Sequence, residues 1–389
     1  MIRPMRRLTL RWSLTVLLAC GLAGAGEQQA NAKRPADRPE RLEMTVRASG
    51  TAAMFSSLKI SSPRLASRIA AAERRPAERV DCYTDLEVSV WETDDRKTVY
   101  RLERTGRLWD EAASKLLWLP PDASERLLRY AEALRSRHYG KLMDWNEARS
   151  IVGRKSLFTI VDLESGLSFR VQRRAGSDHA DVQPVSREDS ATMKRIYGDK
   201  WSWERRAIVV AKDGARIAAS MNGMPHGGDG IPDNGFKGHF CVHFLGSTSH
   251  RSDTPDPAHQ LMVHKAGGDL RRYFDSASPA ALASSFVEAL NLKDGDMLSL
   301  IWTGASAEET AMLSRLLERL DSIYYARAGK LAQDDDGDKL SASVDLPVLV
   351  RLDGRGTLRA KLRFELARSS PQSPWRIVGL GSDHSSLIP

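Results

Sequence analysis

Cysteine is scarce in this chain: three in 389 residues, at positions 20, 82 and 241, too few for a small scaffold held by a lattice of disulfides. No acidic residue precedes Glu27, while Arg3, Arg6, Arg7 and Arg11 stand around the start of the apolar run Leu14 to Leu22. That run is shorter than the roughly 20 residues a membrane-spanning helix needs, so the N-terminal segment reads as an export signal and not as a stable anchor. Basic motifs interleaved with aromatics are missing, and an exported chain meets little nucleic acid, so no nucleic-acid partner is expected. No familiar zinc spacing occurs. The acidic run Asp334 to Asp338 lacks the carboxylate that closes an EF-hand loop and reads as a hairpin turn.

Two processing routes fit the leader. Leu17-Leu18-Ala19-Cys20 resembles a lipobox, whereas Ala23-Gly24-Ala25 and Ala30-Asn31-Ala32 suit ordinary cleavage. A lipidated Cys20 would tether the protein to the outer face of the cytoplasmic membrane; the other route releases it toward the cell wall. Cleavage before Cys20 removes four arginines and no acid, taking the formal charge from +8 to +4, so attraction to anionic polymers is mild. Two cysteines then remain, and in an oxidising compartment a Cys82–Cys241 disulfide competes with a free Cys241.

The length calls for two or three domains. The pattern divides into a signal at 1–25, a polar, proline-containing linker at 26–42, an N-terminal α+β module at 43–150, a central part at 151–275 and a C-terminal part at 276–389. In the first module Cys82 to Trp91 alternates as a strand, with Thr98 to Arg104 as its hairpin partner, and Ala123 to His138 carries helical spacing with Asp122 or Ser124 as N-cap. The central part opens with strands at Leu157 to Asp162 and Leu167 to Gln172 around a Glu164-Ser165-Gly166 turn. A helix follows at Ser186 to Tyr197, then strands at Ala207 to Val210 and Arg216 to Ser220. The last part has helices near Ala280 to Leu290 and Ala307 to Arg327, then strands at Leu340 to Leu352, Thr357 to Leu366 and Trp375 to Leu380. Its layout resembles a cone-shaped NTF2-like domain.

Of nine histidines, six (His226, His239, His243, His250, His259 and His264) fall between positions 226 and 264. Read as a strand, His239 to Phe244 places His239, Cys241 and His243 on one face and Phe240, Val242 and Phe244 on the other, toward the core. A thiol has a pKa of about 8.5 in isolation, and an adjacent imidazole moves it toward the nucleophilic thiolate. Cys241 between imidazoles therefore has the surroundings that nucleophilic catalysis requires.

His226-Gly227 followed by Gly238-His239-Phe240-Cys241-Val242-His243 resembles the signature of the L,D-transpeptidases, the YkuD family: a His-Gly pair, a glycine-containing loop, then Ser/Thr-His-Gly-Cys, an apolar residue and usually Arg. Here Gly238 stands for Ser/Thr, Phe240 for the glycine before the cysteine and His243 for the arginine, and the interval from His226 to Cys241 is somewhat short. The strings Ala219 to Gly227 and Gly238 to Phe244 are also similar to those of exported peptidoglycan-binding or cell-wall proteins. The resemblance implies a multi-domain α+β protein whose central, mostly-β L,D-transpeptidase-like domain is flanked by the α+β module and the NTF2-like domain.

It further implies Cys241 as nucleophile, His226 as base oriented by a carbonyl such as that of Gly227, and His239 beside them. Gly227, Gly238, Phe240 and His243 would line the substrate groove, with His243 binding a carboxylate when protonated. No cofactor is called for. Peptidoglycan peptide stems would be the substrate, attacked through a Cys241 thioester. Two rivals stand beside this: a catalytically inactive stem-binding or sensory module, and a zinc-binding hydrolase drawing ligands from the cluster between His226 and His264. His179 and Asp181, in a polar loop, either line the groove or brace the loop; Trp201 and Trp203 alternate like strand residues and pack in the core or face a ligand. Oligomeric state is not legible.

Overall fold

The computed structural model describes residues 41–387 apart from 79, 92–95, 229, 250–253, 326–336 and 386. The export segment, Cys20, His250, Asp253 and most of the acidic run lie outside the described residues. These residues form two compact units: 41–47 with 55–138, and 48–54 with 139–387. No described helix is long and apolar enough to cross a membrane.

The first unit contains β1 (Arg41–Val46), β2 (Ser56–Ile60), α1 (Pro63–Ala70), β3 (Glu73–Pro76), β4 (Cys82–Trp91), β5 (Lys97–Glu103), β6 (Leu108–Asp110), β7 (Lys115–Trp118) and α2 (Pro121–His138). Its strands make one antiparallel sheet in the order β2-β1-β4-β5-β6-β7-β3. Alternation drives it: Leu42, Met44 and Val46 of β1 and Leu86, Val88 and Val90 of β4 are buried on one face. Helix α2 covers β1 and β2 with Leu127, Ala131 and Leu134. It begins earlier than the spacing predicts. Proline fits the first helical position because that N–H has no intrahelical partner, and the N–H groups of Ala123 and Ser124 donate to the Pro120 carbonyl. Asp122 consequently sits inside the first turn rather than at the cap.

The second unit is built from α3 (Trp145–Ile151), β8 (Leu157–Asp162), β9 (Ser168–Ala175), β10 (Ala180–Pro184), α4 (Arg187–Ile196), β11 (Arg206–Lys212), β12 (Ala215–Met221) and β13 (Phe240–His243). After these come α5 (Pro257–Ala266), α6 (Leu270–Ser276), α7 (Pro279–Asn291), α8 (Gly295–Ile301), α9 (Ala307–Arg319), β14 (Leu320–Tyr325), β15 (Ser341–Leu352), β16 (Leu358–Ala367) and β17 (Arg376–Ser382). Strands β10-β13-β12-β11-β8-β9 close into an antiparallel barrel, which leaves no open edge. Phe158, Ile160, Phe169, Val171, Val182, Ile208, Val210, Ile217, Phe240, Val242 and Phe244 fill one core cluster. Helix α4 is closed by a Ser186–Asp189 capping box, as its sequence requires.

Toward the C terminus, β14–β15–β16–β17 form a four-stranded antiparallel sheet against which α7 packs, with Phe286 edge-on to Phe364 at 5.4 Å. The helix expected over Ala307 to Arg327 ends at Arg319. Leu320 is extended (φ −75°, ψ 120°), and the chain continues as β14, burying Leu320 and Ile323 against the sheet. Tertiary burial of alternate residues overrides helix propensity there. The protein is thus a mixed α+β chain with antiparallel sheets, one of them a six-stranded barrel.

Candidate functional site

Short strand β13 runs between β10 and β12, with Asp181 opposite Cys241, Val182 opposite Phe240 and Ser220 opposite His243. Phe240, Val242 and Phe244 join the barrel core, so the alternation expected from the sequence holds. Directly opposed residues project from the same face, and this puts Asp181 beside Cys241. His179, just ahead of β10, stacks on His243 at 4.5 Å. From α5, His259 stacks on the other side of His243 at 3.8 Å and its Nδ1 meets Ser220 Oγ at 2.9 Å. Asp256 caps α5, accepting from the N–H groups of Ala258 and His259, and Pro257 occupies the first turn.

Cys241 and Cys82 are both free, so no disulfide joins them. Sγ of Cys241 lies 3.3 Å from His226 Nε2. The other ring nitrogen, Nδ1, is 2.9 Å from the Met224 carbonyl. A carbonyl only accepts, so Nδ1 carries the proton and Nε2 presents its lone pair to the thiol. The orienting carbonyl belongs to Met224, two residues before His226, and not to Gly227.

His226 is held by a two-residue bridge to His239, with backbone N–H groups donating in both directions at 2.9 and 2.7 Å. The bridge explains the glycines. Gly227 (φ +74°) would place a Cβ 2.6 Å from His239 Nδ1, and Gly238 (φ +85°) would place one 2.7 Å from the His226 carbonyl carbon. Only glycine tolerates both the left-handed backbone and the close approach. Gln183 tightens the same turn, donating from its amide nitrogen to the Gly238 carbonyl and accepting from Ile231 N at 2.6 Å. Both glycines therefore position His226 and His239; of the two, Gly227 is exposed and Gly238 is buried.

Beneath the thiol is a buried acid, in a segment expected to be a polar loop. Asp181 Oδ1 is 3.1 Å from His179 Nε2, 3.6 Å from His239 Nε2 and 3.9 Å from Cys241 Sγ. His179 Nδ1 donates to the Thr248 carbonyl at 2.8 Å. Burial works against the charged form of His179, but Asp181 and Cys241 outweigh it and raise its pKa to about 10. Burial also pushes the Cys241 thiol upward, yet His179 and His226 overcome this and bring it below its ordinary value. His226 is raised by its contact with Cys241 against the opposing effect of burial. The other thiol behaves in the opposite way: burial and Glu103 push Cys82 up to about 12.

Three other expectations change. His243 is 2% exposed, and burial with the neighbouring His259 holds its pKa well below the ordinary value; covered and neutral, it offers no cationic clamp for a substrate carboxylate. Phe240 is fully buried in the barrel core and reaches no groove. His264 leaves the cluster, stacking on Tyr273 at 4.6 Å and facing Asp269 at 3.4 Å. His179 and Asp181 lie at β10, outside the histidine-rich window. Their signal is the alternation in His179-Ala180-Asp181-Val182, which reads as a strand end once its apolar partners are placed inside.

Trp203 is exposed, with its ring 5.2 Å from that of His226, while Trp201 packs edge-on to Phe236 at 5.2 Å. The segment 201–205 is not a strand. A thiol of lowered pKa, a correctly tautomerised imidazole and a buried carboxylate–imidazole pair form a constellation suited to nucleophilic acyl transfer. No protein-family model matches this chain, and no curated protein is similar to it at a significant level.

Proposed function

We propose that this chain is an exported envelope protein that performs L,D-transpeptidase-like acyl transfer on peptidoglycan peptide stems through Cys241. The observation that carries the reading is the 3.3 Å approach of His226 Nε2 to a free Cys241 whose thiol is held below its ordinary pKa. His226 removes the thiol proton as Sγ adds to the carbonyl carbon of the stem. The tetrahedral adduct then collapses, the C–N bond breaks, and the released terminal D-amino acid takes that proton on its amine. A thioester remains on Cys241. An amine of a second stem, or water, attacks it and frees the thiol. Trp203 offers an exposed apolar wall beside His226 for the incoming stem.

Within this proposal the barrel is the catalytic domain, and helices α7 to α9 with the four-stranded sheet form the NTF2-like part. The leader, with Cys20 or a later cleavage site, would place the protein at the outer face of the cytoplasmic membrane or in the wall. Incubation of the mature protein with stem tetrapeptides, followed by mass spectrometry, tests the reading. An acyl adduct should map to Cys241, vanish in Cys241→Ser and form roughly 10²- to 10⁴-fold more slowly in His226→Ala, the usual contribution of a general base. One observation favours a second reading, a non-catalytic stem-binding module: Cys241 is only 6% exposed. That reading wins if stems bind equally to Cys241→Ala and the intact protein shows no adduct and no turnover.

A further inference from the structure

A ring nitrogen of His179, Cys241 Sγ and a ring nitrogen of His243 lie within 4.8 Å of one another, and all three residues are buried. We propose that these three side chains form a zinc site that excludes acyl transfer while occupied, so that one sulfur serves two mutually exclusive states. The site does not depend on the acyl-transfer reading; only its inhibitory consequence rests on it.

Two nitrogens and a thiolate suit a borderline-soft cation with no geometric preference of its own, and zinc is the common one. The outer contacts are those of a built site. Zinc-binding imidazoles ordinarily give their second nitrogen to a carbonyl or hydroxyl, which fixes the tautomer and aims the first at the metal. His179 Nδ1 donates to the Thr248 carbonyl at 2.8 Å, and His243 Nδ1 meets Ser247 Oγ at 3.1 Å. In both rings the nitrogen that would meet a metal is then Nε2, which in His179 pairs with Asp181 Oδ1 at 3.1 Å. Ser247 is itself fixed, because its Oγ accepts from Phe244 N at 3.1 Å.

Charge also balances. One thiolate, with Asp181 Oδ1 3.1 Å from His179 Nε2 and 3.9 Å from Sγ, offsets a dication in this buried place. Asp181 thus lies beside two of the three ligands. The ring of His259 stacks on that of His243 at 3.8 Å and fixes its plane. On binding, the protons held on Cys241 Sγ and His179 Nε2 leave to solvent, and the S–Zn and two N–Zn bonds form. No oxidation state changes. The sulfur lone pair that would attack a stem is then engaged, and His226, which is not a ligand, has no proton to take.

The test uses the full mature protein, stripped with a chelator and dialysed against zinc alone, with bound metal measured by mass spectrometry. One equivalent should bind, and cobalt(II) in its place should give a thiolate-to-metal charge-transfer band. Binding should disappear in Cys241→Ala and weaken at least tenfold in His179→Gln and His243→Gln. His226→Ala should retain full stoichiometry although it slows acylation. Unchanged zinc in a folded Cys241→Ala, or a wild-type cobalt spectrum without the thiolate band, overturns the proposal. Zinc binding with no stem adduct from the metal-free protein would sink the acyl-transfer reading and leave the site standing.

Discussion

Replacing Gly238 with alanine should disable Cys241 without unfolding the barrel. Two costs follow from the geometry. The residue has φ +85°, where an L side chain loses about 1–2 kcal/mol. The new Cβ would also lie 2.7 Å from the His226 carbonyl carbon, whereas carbon atoms settle at about 3.5–4.0 Å. Backbone on both sides cannot yield like a flexible side chain, so the His226–His239 bridge must open by about 1 Å. Displacement of that size at a catalytic group costs about 10²-fold, or about 2.7 kcal/mol of activation.

Iodoacetamide under native conditions, with peptide mapping, reads this directly, and Cys82, alkylated only after denaturation, calibrates peptide recovery in the same chain. Gly214→Ala separates the two costs: Gly214 has φ +82° and nothing within 4 Å of the added Cβ. Both variants should melt a few degrees lower. Only Gly238→Ala should lose Cys241 alkylation, by about 10²-fold. If a folded Gly238→Ala reacts at the same rate as Gly214→Ala, the bridge is not what positions His226.

Three further outcomes are expected. Alkylation of Cys241 should continue below the pH at which an ordinary thiol stops reacting, while native Cys82, pushed up to about 12, should stay silent until the protein is denatured; equal pH profiles would contradict the assignment. His179 is raised from 6.5 to about 10. Its contribution to stability is therefore complete below about pH 6.5 and is lost as pH rises through about 10, each tenfold change in its proton affinity being worth about 1.4 kcal/mol. Urea midpoints should fall between those limits in the wild type and fall less steeply in Asp181→Asn, where Cys241 alone still favours the imidazolium, and that variant should also be less stable near neutrality by roughly 3–5 kcal/mol. Lys265 is buried against Asp294 at 2.7 Å and Glu164 at 2.5 Å; Lys265→Met leaves two carboxylates without their cation and should cost roughly 3–5 kcal/mol in chemical denaturation, and a neutral result would mean the pair is not buried in solution.

Local pattern determined a good deal of this protein. The alternation of His239 to Phe244 decided which side chains enter the core, because a strand has a period of two whatever surrounds it. The Ser186 box and the turns at Glu164 to Gly166 and at Asp213-Gly214 likewise follow from neighbouring residues alone. What decided the chemistry was not local. Asp181 and His179 reach Cys241 only because the barrel pairs β10 with β13, and His259 arrives from a helix packed on β12. Those contacts set which imidazole is charged, which is neutral, and that His243 is enclosed. Pairing register and burial are properties of the closed sheet, and composition or spacing along one strand carries no trace of the strand that will lie beside it.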